Sequence, residues 1–368
     1  MHVLITGGAG FIGSHVCDEL LRCGHRVRVL DNLDAQVHEG RARPEYLARD
    51  VELVVGDVRD RAAVDQALRG VDAVVHLAAC VGVGQSMYEI ARYTDVNDLG
   101  TAVLLQALSE HPVARLVVAS SMSIYGEGLM VDAAGGLREQ AERTPEQLRH
   151  GRWELEDETG VPLSPLPTPE SKRPTLSSVY ALGKFAQERM CLIVGRAYGI
   201  KTVALRLFNV FGTRQALSNP YTGVLAIFAS RLLNGKPPLI FEDGEQRRDF
   251  VHVHDVARAF RLALDSNAAV GHAINVGSGA SVTIREVALR LAGALGVEIA
   301  PVTTGRYRVG DIRHCFADPA TATRLLGFNA QVAPEAGFLE LVDWIAGEVA
   351  VDRVETAQDE LARRGLVA

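Results

Sequence analysis

Cysteine is scarce and scattered: Cys17, Cys23, Cys80, Cys191 and Cys315 form no CxxC pair and have no histidine at metal-ligand spacing. Neither a disulfide framework nor a metal site is indicated, and reduced thiols are expected. Positive charge is not in excess either, the formal balance over 368 residues being −7. Without a basic stripe, no nucleic-acid or anionic-membrane partner is expected. No apolar run approaches the roughly 18 residues that a membrane span needs. The chain opens Met1-His2-Val3-Leu4-Ile5, already strand-like, leaving no room for a signal segment, so a cytoplasmic location is expected. Internal repeats and low-complexity tails are missing too. What remains is 48% hydrophobic, enough for one large core or two joined lobes.

Val3 to Thr6 reads as a buried strand running into Gly7-Gly8-Ala9-Gly10-Phe11-Ile12-Gly13, then into a helix with apolar Val16, Leu20 and Leu21. Glycine lets the backbone turn tightly and approach a pyrophosphate, whose charge sits on the exposed amides of the helix N-terminus. Gly7, Gly10, Phe11, Ile12 and Gly13 are therefore candidate cofactor contacts. A second strand, Arg26 to Leu30, ends in Asp31, at the spacing where a carboxylate accepts from ribose hydroxyls. Asp31 would repel a 2′-phosphate and Asn32 supplies no compensating cation, which favours NAD over NADP.

A third strand, Val51 to Val55, leads to Asp57 and Val58; a helix from about Arg61 to Arg69 leads to a fourth, Ala73 to Leu77, followed by Ala78-Ala79. Short apolar strands alternating with helices predict an α/β fold with a Rossmann-type doubly wound parallel sheet. Ligands bind beyond the C-terminal strand ends of such sheets, so Asp57, Val58, Leu77, Ala78 and Ala79 should line the dinucleotide. For Asp57 a simple helix N-cap is an equal alternative. Residues 82–87 read as a flexible loop that either covers substrate, with Gly84 and Ser86 as contacts, or merely connects. A helix from about Arg92 to Leu108 places Asn97 and Thr101 on one face, with the nicotinamide half as one possible partner. A fifth strand, Leu116 to Ala119, ends in Ser120-Ser121-Met122-Ser123-Ile124-Tyr125-Gly126, aiming Ser121 into the crevice.

The segment Ser177-Ser178-Val179-Tyr180-Ala181-Leu182-Gly183-Lys184 opens a long helix running to about Tyr198. Positions four apart share a face, so Tyr180 and Lys184 address one spot, where a cation stabilises the phenolate and lowers a pKa of about 10. Alone, such a pair is ordinary chance. In company with Thr6-Gly7-x-x-Gly10-x-x-Gly13 and Ser121 before Ile124-Tyr125-Gly126, it is not.

Together these motifs resemble the extended short-chain dehydrogenase/reductase family, in its NAD-dependent nucleotide-sugar epimerase and dehydratase branch. Further matches are Arg206-Leu207-Phe208-Asn209-Val210-Phe211-Gly212, Gln246 to His252, Ile274-Asn275-Val276-Gly277 and Arg308-Val309-Gly310-Asp311. The resemblance covers nearly the whole chain. It implies NAD as cofactor, Ser121, Tyr180 and Lys184 as catalytic residues, with the last two also touching NAD, and Asn209, Arg248 and Arg308 holding a nucleotide diphosphate, beside Asp311 and Ser123 on the substrate. Arginine forks match phosphate oxygens in pairs, which suits Arg248 and Arg308.

The branches of this family part at the residues after Ser121. In the dehydratases that it resembles, an Asp-Glu pair occupies the positions of Met122 and Ser123; decarboxylases carry Glu, and 3,5-epimerases Cys, at Ser123. Methionine moves no proton and serine is a poor acid or base at neutral pH. Hydride chemistry alone remains, which implies a 4-epimerase of a nucleotide-linked hexose or 6-deoxyhexose. Val83 to Ile90, Asn219-Pro220-Tyr221-Thr222-Gly223 and an insertion resemble the dTDP-L-rhamnose 4-epimerases in particular. A dehydratase or decarboxylase of unusual residue choice, and a non-catalytic NAD-sensing regulator, stay as alternatives.

Residues 1–205 are expected to form the NAD-binding domain, and residues 206–368 mainly a substrate lobe with some segments returning to the sheet. The stretch from about Glu127 to Thr175 carries six prolines (Pro145, Pro162, Pro165, Pro167, Pro169, Pro174) and much charge. It reads as an irregular excursion, a surface flap or a lid over the sugar, and has no Cys pair for a metal. Helices are expected from Val282 to Leu295 with a cap at Thr283, from Pro334 to about Val349 with Phe338, Leu341 and Trp344 inward, and from Asp352 to Arg364. The resemblance also implies a homodimer paired through the helices near 92–108 and 177–198.

Overall fold

The computed structural model describes every residue except 39, 41, 217–222, 309, 348–353 and 368. Seven parallel strands form its centre: β1 (His2–Thr6), β2 (Arg26–Asp31), β3 (Glu52–Val55), β4 (Ala73–His76), β5 (Arg115–Ser121), β6 (Lys201–Leu207) and β7 (Ala273–Val276), in the order β7-β6-β5-β4-β1-β2-β3. The switch of direction beside β1 leaves a crevice at its C-terminal end, above Gly7. Helices α1 (Phe11–Arg22), α2 (Arg61–Leu68), α3 (Gly100–Glu110) and α4 (Val179–Tyr198) cross between these strands.

Alternation along each strand explains why both faces need helices. Val3, Ile5, Val75, Val117 and Val203 enter one buried cluster, whereas Leu4, Val74, Leu116, Val118 and Ala204 enter the other. Successive side chains point to opposite faces, so a strand apolar throughout must be covered on both sides. In the sequence after residue 205, β7 and the helices Val253–Asp265 and Ala320–Leu326 return to the sheet.

The remaining C-terminal residues build a lobe from α5 (Val224–Leu233), α7 (Ile284–Ala294) and α8 (Pro334–Ala346), with the helix Val253–Asp265 counted as α6. Phe211, Phe228, Phe250, Leu291, Phe338 and Leu341 make its core, while Trp344 is half-buried. Thr283 and Glu286 form a complete capping box on α7. A final helix, α9 (Val354–Arg363), ends near the crevice. Among the described residues, no helix is long and apolar enough to cross a membrane.

Three local expectations are revised. The 82–87 loop contains a helical turn, Val83–Ser86, and the helix expected from Arg92 begins at Ile90 and passes through a π turn, Asp95–Leu99, before α3. The 127–175 stretch is not irregular: Met130–Val131 pairs with Leu137–Arg138 and with Ser164–Pro165, and Pro145–Arg149 is helical. Several of its charges pair with the lobe. Arg143 bridges Glu127 and Glu242, and Arg313 bridges Glu154, Glu242 and Asp243. The Asn219 to Thr222 motif, Val309, Val349 and Asp352 lie outside the described residues.

Candidate active site

β1 delivers the chain into the glycine turn. Gly7 has φ +70°, and a Cβ there would lie 2.8 Å from the Ala78 amide nitrogen; at Gly13 it would lie 2.4 Å from the Gly7 carbonyl oxygen. Backbone packs directly on backbone at both points, which only glycine permits. Gly10 is different, with nothing closer than 3.6 Å to its missing side chain. It is also the N-cap of α1, whose first turn receives no side-chain cap and holds no acid. An open hollow over uncapped amides fits a pyrophosphate. Phe11 and Ile12 form that first turn, Ile12 resting on the core.

Asp31 is buried, its two oxygens accepting from the amides of Ala9 at 3.0 Å and Leu33 at 2.9 Å. A carboxylate has further lone pairs for ribose hydroxyls. Asn32 donates to Asp57 at 3.0 Å, and Arg59, with Asn32, holds the Asp57 carboxyl at about 2 against partial burial. Asp57 is not the helix cap; Asp60 caps α2. Val58 turns inward beneath Gly100. Leu77 and Ala78 pack on opposite cores and Ala79 is half-buried. Asn97 presents no free amide: it accepts from the Cys80 amide at 2.7 Å and donates to the Cys80 carbonyl at 3.1 Å, fixing the loop after β4.

Tyr180 and Lys184 stand on the inward face of α4, 9% and 4% exposed. Two hydroxyls fix the start of that helix: Ser178 Oγ accepts from the Ala181 amide, and Ser86 Oγ from the Tyr180 amide, both at 3.1 Å. Ser86, from the 82–87 turn, thus anchors the start of α4. The Tyr180 phenol lies beside the Ser121 hydroxyl, whose Oγ is 3.1 Å from Ser123 Oγ. Burial raises the phenol above its ordinary value, and the Ser121 hydroxyl beside it opposes the rise. The expected lowering by Lys184 is not realised here. Its Nζ is turned along the helix to donate to Gln187 Oε1 at 2.7 Å, and burial lowers the ammonium to about 8.

The substrate candidates lie on the lobe side. Among the described residues, Asn209 Oδ1 and Arg308 Nε are buried polar atoms without hydrogen-bond partners, and the Arg308 guanidinium lies over the Phe241 ring, 4.4 Å from its centroid. Arg248 is instead engaged: it donates to the Arg247 and Arg313 carbonyls at 3.0 Å and to that of Ile312. Asp311 is 3.6 Å from Arg248, and its Oδ1 accepts from the Ile312 amide. Gly84, Arg308 and Asp311 share a small pocket with Val83, Met87, Leu361 and Leu366, so the end of the chain roofs this side of the crevice. A larger cleft of about 460 Å³ lies in the 127–175 stretch and contains none of these residues.

Comparison with known proteins assigns the assembly. Residues 3–149 and 160–277 match the model of the NAD dependent epimerase/dehydratase family. The chain belongs to that family. It is 36% identical to a dTDP-L-rhamnose 4-epimerase of Burkholderia thailandensis over 94% of this chain and 95% of that one. Its structure is similar to that of a UDP-glucose 4-epimerase from Thermotoga maritima with UDP-glucose, TM-score 0.77 at 30% identity, covering 94% of this chain and 99% of that one. A UDP-glucose 4-epimerase from Thermus thermophilus with NAD gives 0.73 at 35%, covering 95% and 100%. The protein is thus an enzyme of the NAD-dependent epimerase/dehydratase family, and NAD is its cofactor, in keeping with the open glycine cradle.

Within this epimerase/dehydratase fold, several family motifs serve as scaffold. Arg206 pairs with Glu188 at 2.7 Å and donates to the Tyr125 hydroxyl, which donates to Asn275. Sequence reading missed Gln187 and His76. Gln187 follows Lys184 by three residues, a helical neighbour spacing that could have exposed it; His76 carried no such signal. Among the described residues, His252, His254 and Glu340 bring ring and carboxylate atoms within 4.8 Å of one another. The His252 Nδ1 accepts from the His254 amide, which leaves the neutral ring's proton on Nε2, the atom a metal would need.

Proposed function

We propose that the protein is a NAD-dependent 4-epimerase of a nucleotide-linked hexose or 6-deoxyhexose, with dTDP-L-rhamnose or a related sugar as substrate. The observation carrying this reading is what stands beside Ser121. There the Met122 thioether and the Ser123 hydroxyl, 3.1 Å from Ser121 Oγ, take the place of the carboxyl or thiol that elimination, decarboxylation or 3,5-epimerisation needs. Reversible hydride transfer at one carbon is the reaction left. Tyr180, linked to Ser121, takes the proton of the C4 hydroxyl. NAD, when bound, supplies the hydride acceptor and donor. The 4-keto sugar turns in the cleft, hydride returns to the opposite face, and Tyr180 gives back the proton. Asn209 and Arg308, with their orphaned polar atoms, are the diphosphate contacts, joined by Arg248 once its carbonyl partners release it. Similarity to the Burkholderia enzyme supports the choice of sugar, and exposed leucine and isoleucine on α4 support a homodimer.

The test is a panel of dTDP-, UDP- and GDP-sugars given to the NAD-loaded enzyme, with products read by NMR at C4 and by mass spectrometry. Inversion at C4 with unchanged mass is expected. Tyr180→Phe should keep NAD while losing about a thousandfold in turnover. Loss of water or carbon dioxide, or near-normal turnover by the variant, overturns the proposal.

A further inference from the structure

The Lys184 ammonium sits at the end of a hydrogen-bond chain whose direction the structure determines. Thr101 Oγ1 lies 2.6 Å from the Asn97 carbonyl, which can only accept, so the hydroxyl's one proton is spent there. The contacts of Thr101 Oγ1 with Gln187 Nε2 at 2.8 Å and His76 Nε2 at 2.9 Å are therefore bonds it receives. That orients the Gln187 amide with its nitrogen toward Thr101 and its oxygen toward Lys184. It also fixes His76, which burial keeps neutral, with its proton on Nε2. His76 Nδ1 then accepts from the Thr6 hydroxyl at 2.7 Å, and Thr6 Oγ1 accepts from the Ala78 amide at 3.3 Å. Thr6 precedes the glycine turn and Ala78 follows β4, so the chain ties both cofactor loops to Gln187.

We propose that Gln187 is the positioning residue for Lys184: its amide oxygen, aimed by Thr101 and His76, sets where the ammonium rests and up to what pH it stays charged. The proposal rests on the reading of Tyr180 and Lys184 as the proton-transfer pair. The other ionisable groups around Lys184 leave the role to Gln187. His76, from β4, is neutral. On α4 itself, Cys191 is a buried thiol, Tyr180 is raised by burial, and Glu188 is held by Arg206 and Ser120. Asp98, from the π turn, faces Gly183 and is raised by burial. A neutral oxygen at 2.7 Å stabilises the ammonium without cancelling its charge, which a carboxylate there would do.

The chain has four lysines, Lys172, Lys184, Lys201 and Lys236, so the ε-carbon resonance of Lys184 is assignable in the full-length protein by its loss in Lys184→Met. Relative to wild type, Q187M should shift the Lys184 titration down by about one unit, and Q187E up by about one unit. In the NAD-loaded enzyme the alkaline limb of kcat should move the same two ways, with turnover at pH 7 down about twofold in Q187M. Thr101→Val, which frees the Gln187 amide while keeping the packing, should shift the titration down by a smaller amount and serves if Q187M does not fold. Opposite shifts in Q187M and Q187E support positioning. A Lys184 titration that stays put in all variants, or moves the same way in both Gln187 variants as the melting temperature falls, overturns it. An unmoved kcat limb beside shifted Lys184 titrations would overturn the catalytic reading of the pair instead.

Discussion

A single carboxylate at the end of β2 organises the nucleotide end of the site. Asp31 holds the glycine turn through the Ala9 amide and its own bend through the Leu33 amide, and a carboxylate keeps further lone pairs for ribose hydroxyls. Replacing it by Asn sets an amide NH2 against one of two backbone N–H groups. A hydrogen bond to a charged group contributes about 1.5–3 kcal/mol, so Asp31→Asn should raise the NAD dissociation constant by roughly ten- to a hundredfold. Calorimetry with NAD checks this, and an unchanged constant would show that the carboxylate serves only the turn. Residue types of this kind were legible in the sequence because spacing along a strand or helix dictates them. Gln187 escaped notice although it stands three residues beyond Lys184 on the same helix, whereas the contacts of Asn97 with the Cys80 backbone and of Gln187 with Thr101 form only once separate elements pack. Helical spacing put Lys184 beside Tyr180, yet rotamer choice sent its ammonium one turn onward.

Among the elements, β1 to β5 were legible because each carries a short apolar run followed by a turn, whereas β6 and β7 entered only through the motifs around Arg206 and Ile274. The 127–175 stretch was misread, since prolines and charges look solvated until their partners from distant segments are known. Glu154 shows what fastens it. Burial pushes its carboxyl up, but hydrogen bonds from His314 and Arg313 win and hold it at about 2, against an ordinary 4.5. A carboxylate with a depressed value stabilises the folded arrangement fully above 4.5, and that contribution disappears as pH falls toward 2. Trp153, beside it, has its ring 6.1 Å from that of Tyr307 on the lobe, and Trp344 is the other tryptophan. In a Trp344→Phe background, Trp153 emission should shift to the red as pH drops from 4.5 toward 2, before far-UV ellipticity is lost. Glu154→Gln should show the shifted spectrum already at neutral pH. Identical acid titrations with and without Glu154 would place the fastening elsewhere.

For the whole molecule the open question is what covers the outer face of the helix that carries Tyr180. Leu182 and Ile193 are 53% and 59% exposed; eleven residues is three helical turns, so both lie on one line along α4. Leu99, 50% exposed, closes the π turn that packs against α4. A monomer would leave these side chains in water next to a rigid, buried inner face, whereas a two-fold dimer pairs each strip with its own copy. Symmetry doubles any change made there. Leu182→Glu with Ile193→Glu would bring four carboxylates into one apolar interface, and desolvating them should separate the chains. Light scattering on the size-exclusion peak should then give a dimer mass for the wild-type protein at micromolar concentration and a monomer mass for the double variant. NAD binding should survive, because Leu182 and Ile193 point away from the crevice that Tyr180 and Lys184 face. A wild-type chain that is already monomeric, or a double variant that stays dimeric, would move the interface off this helix pair.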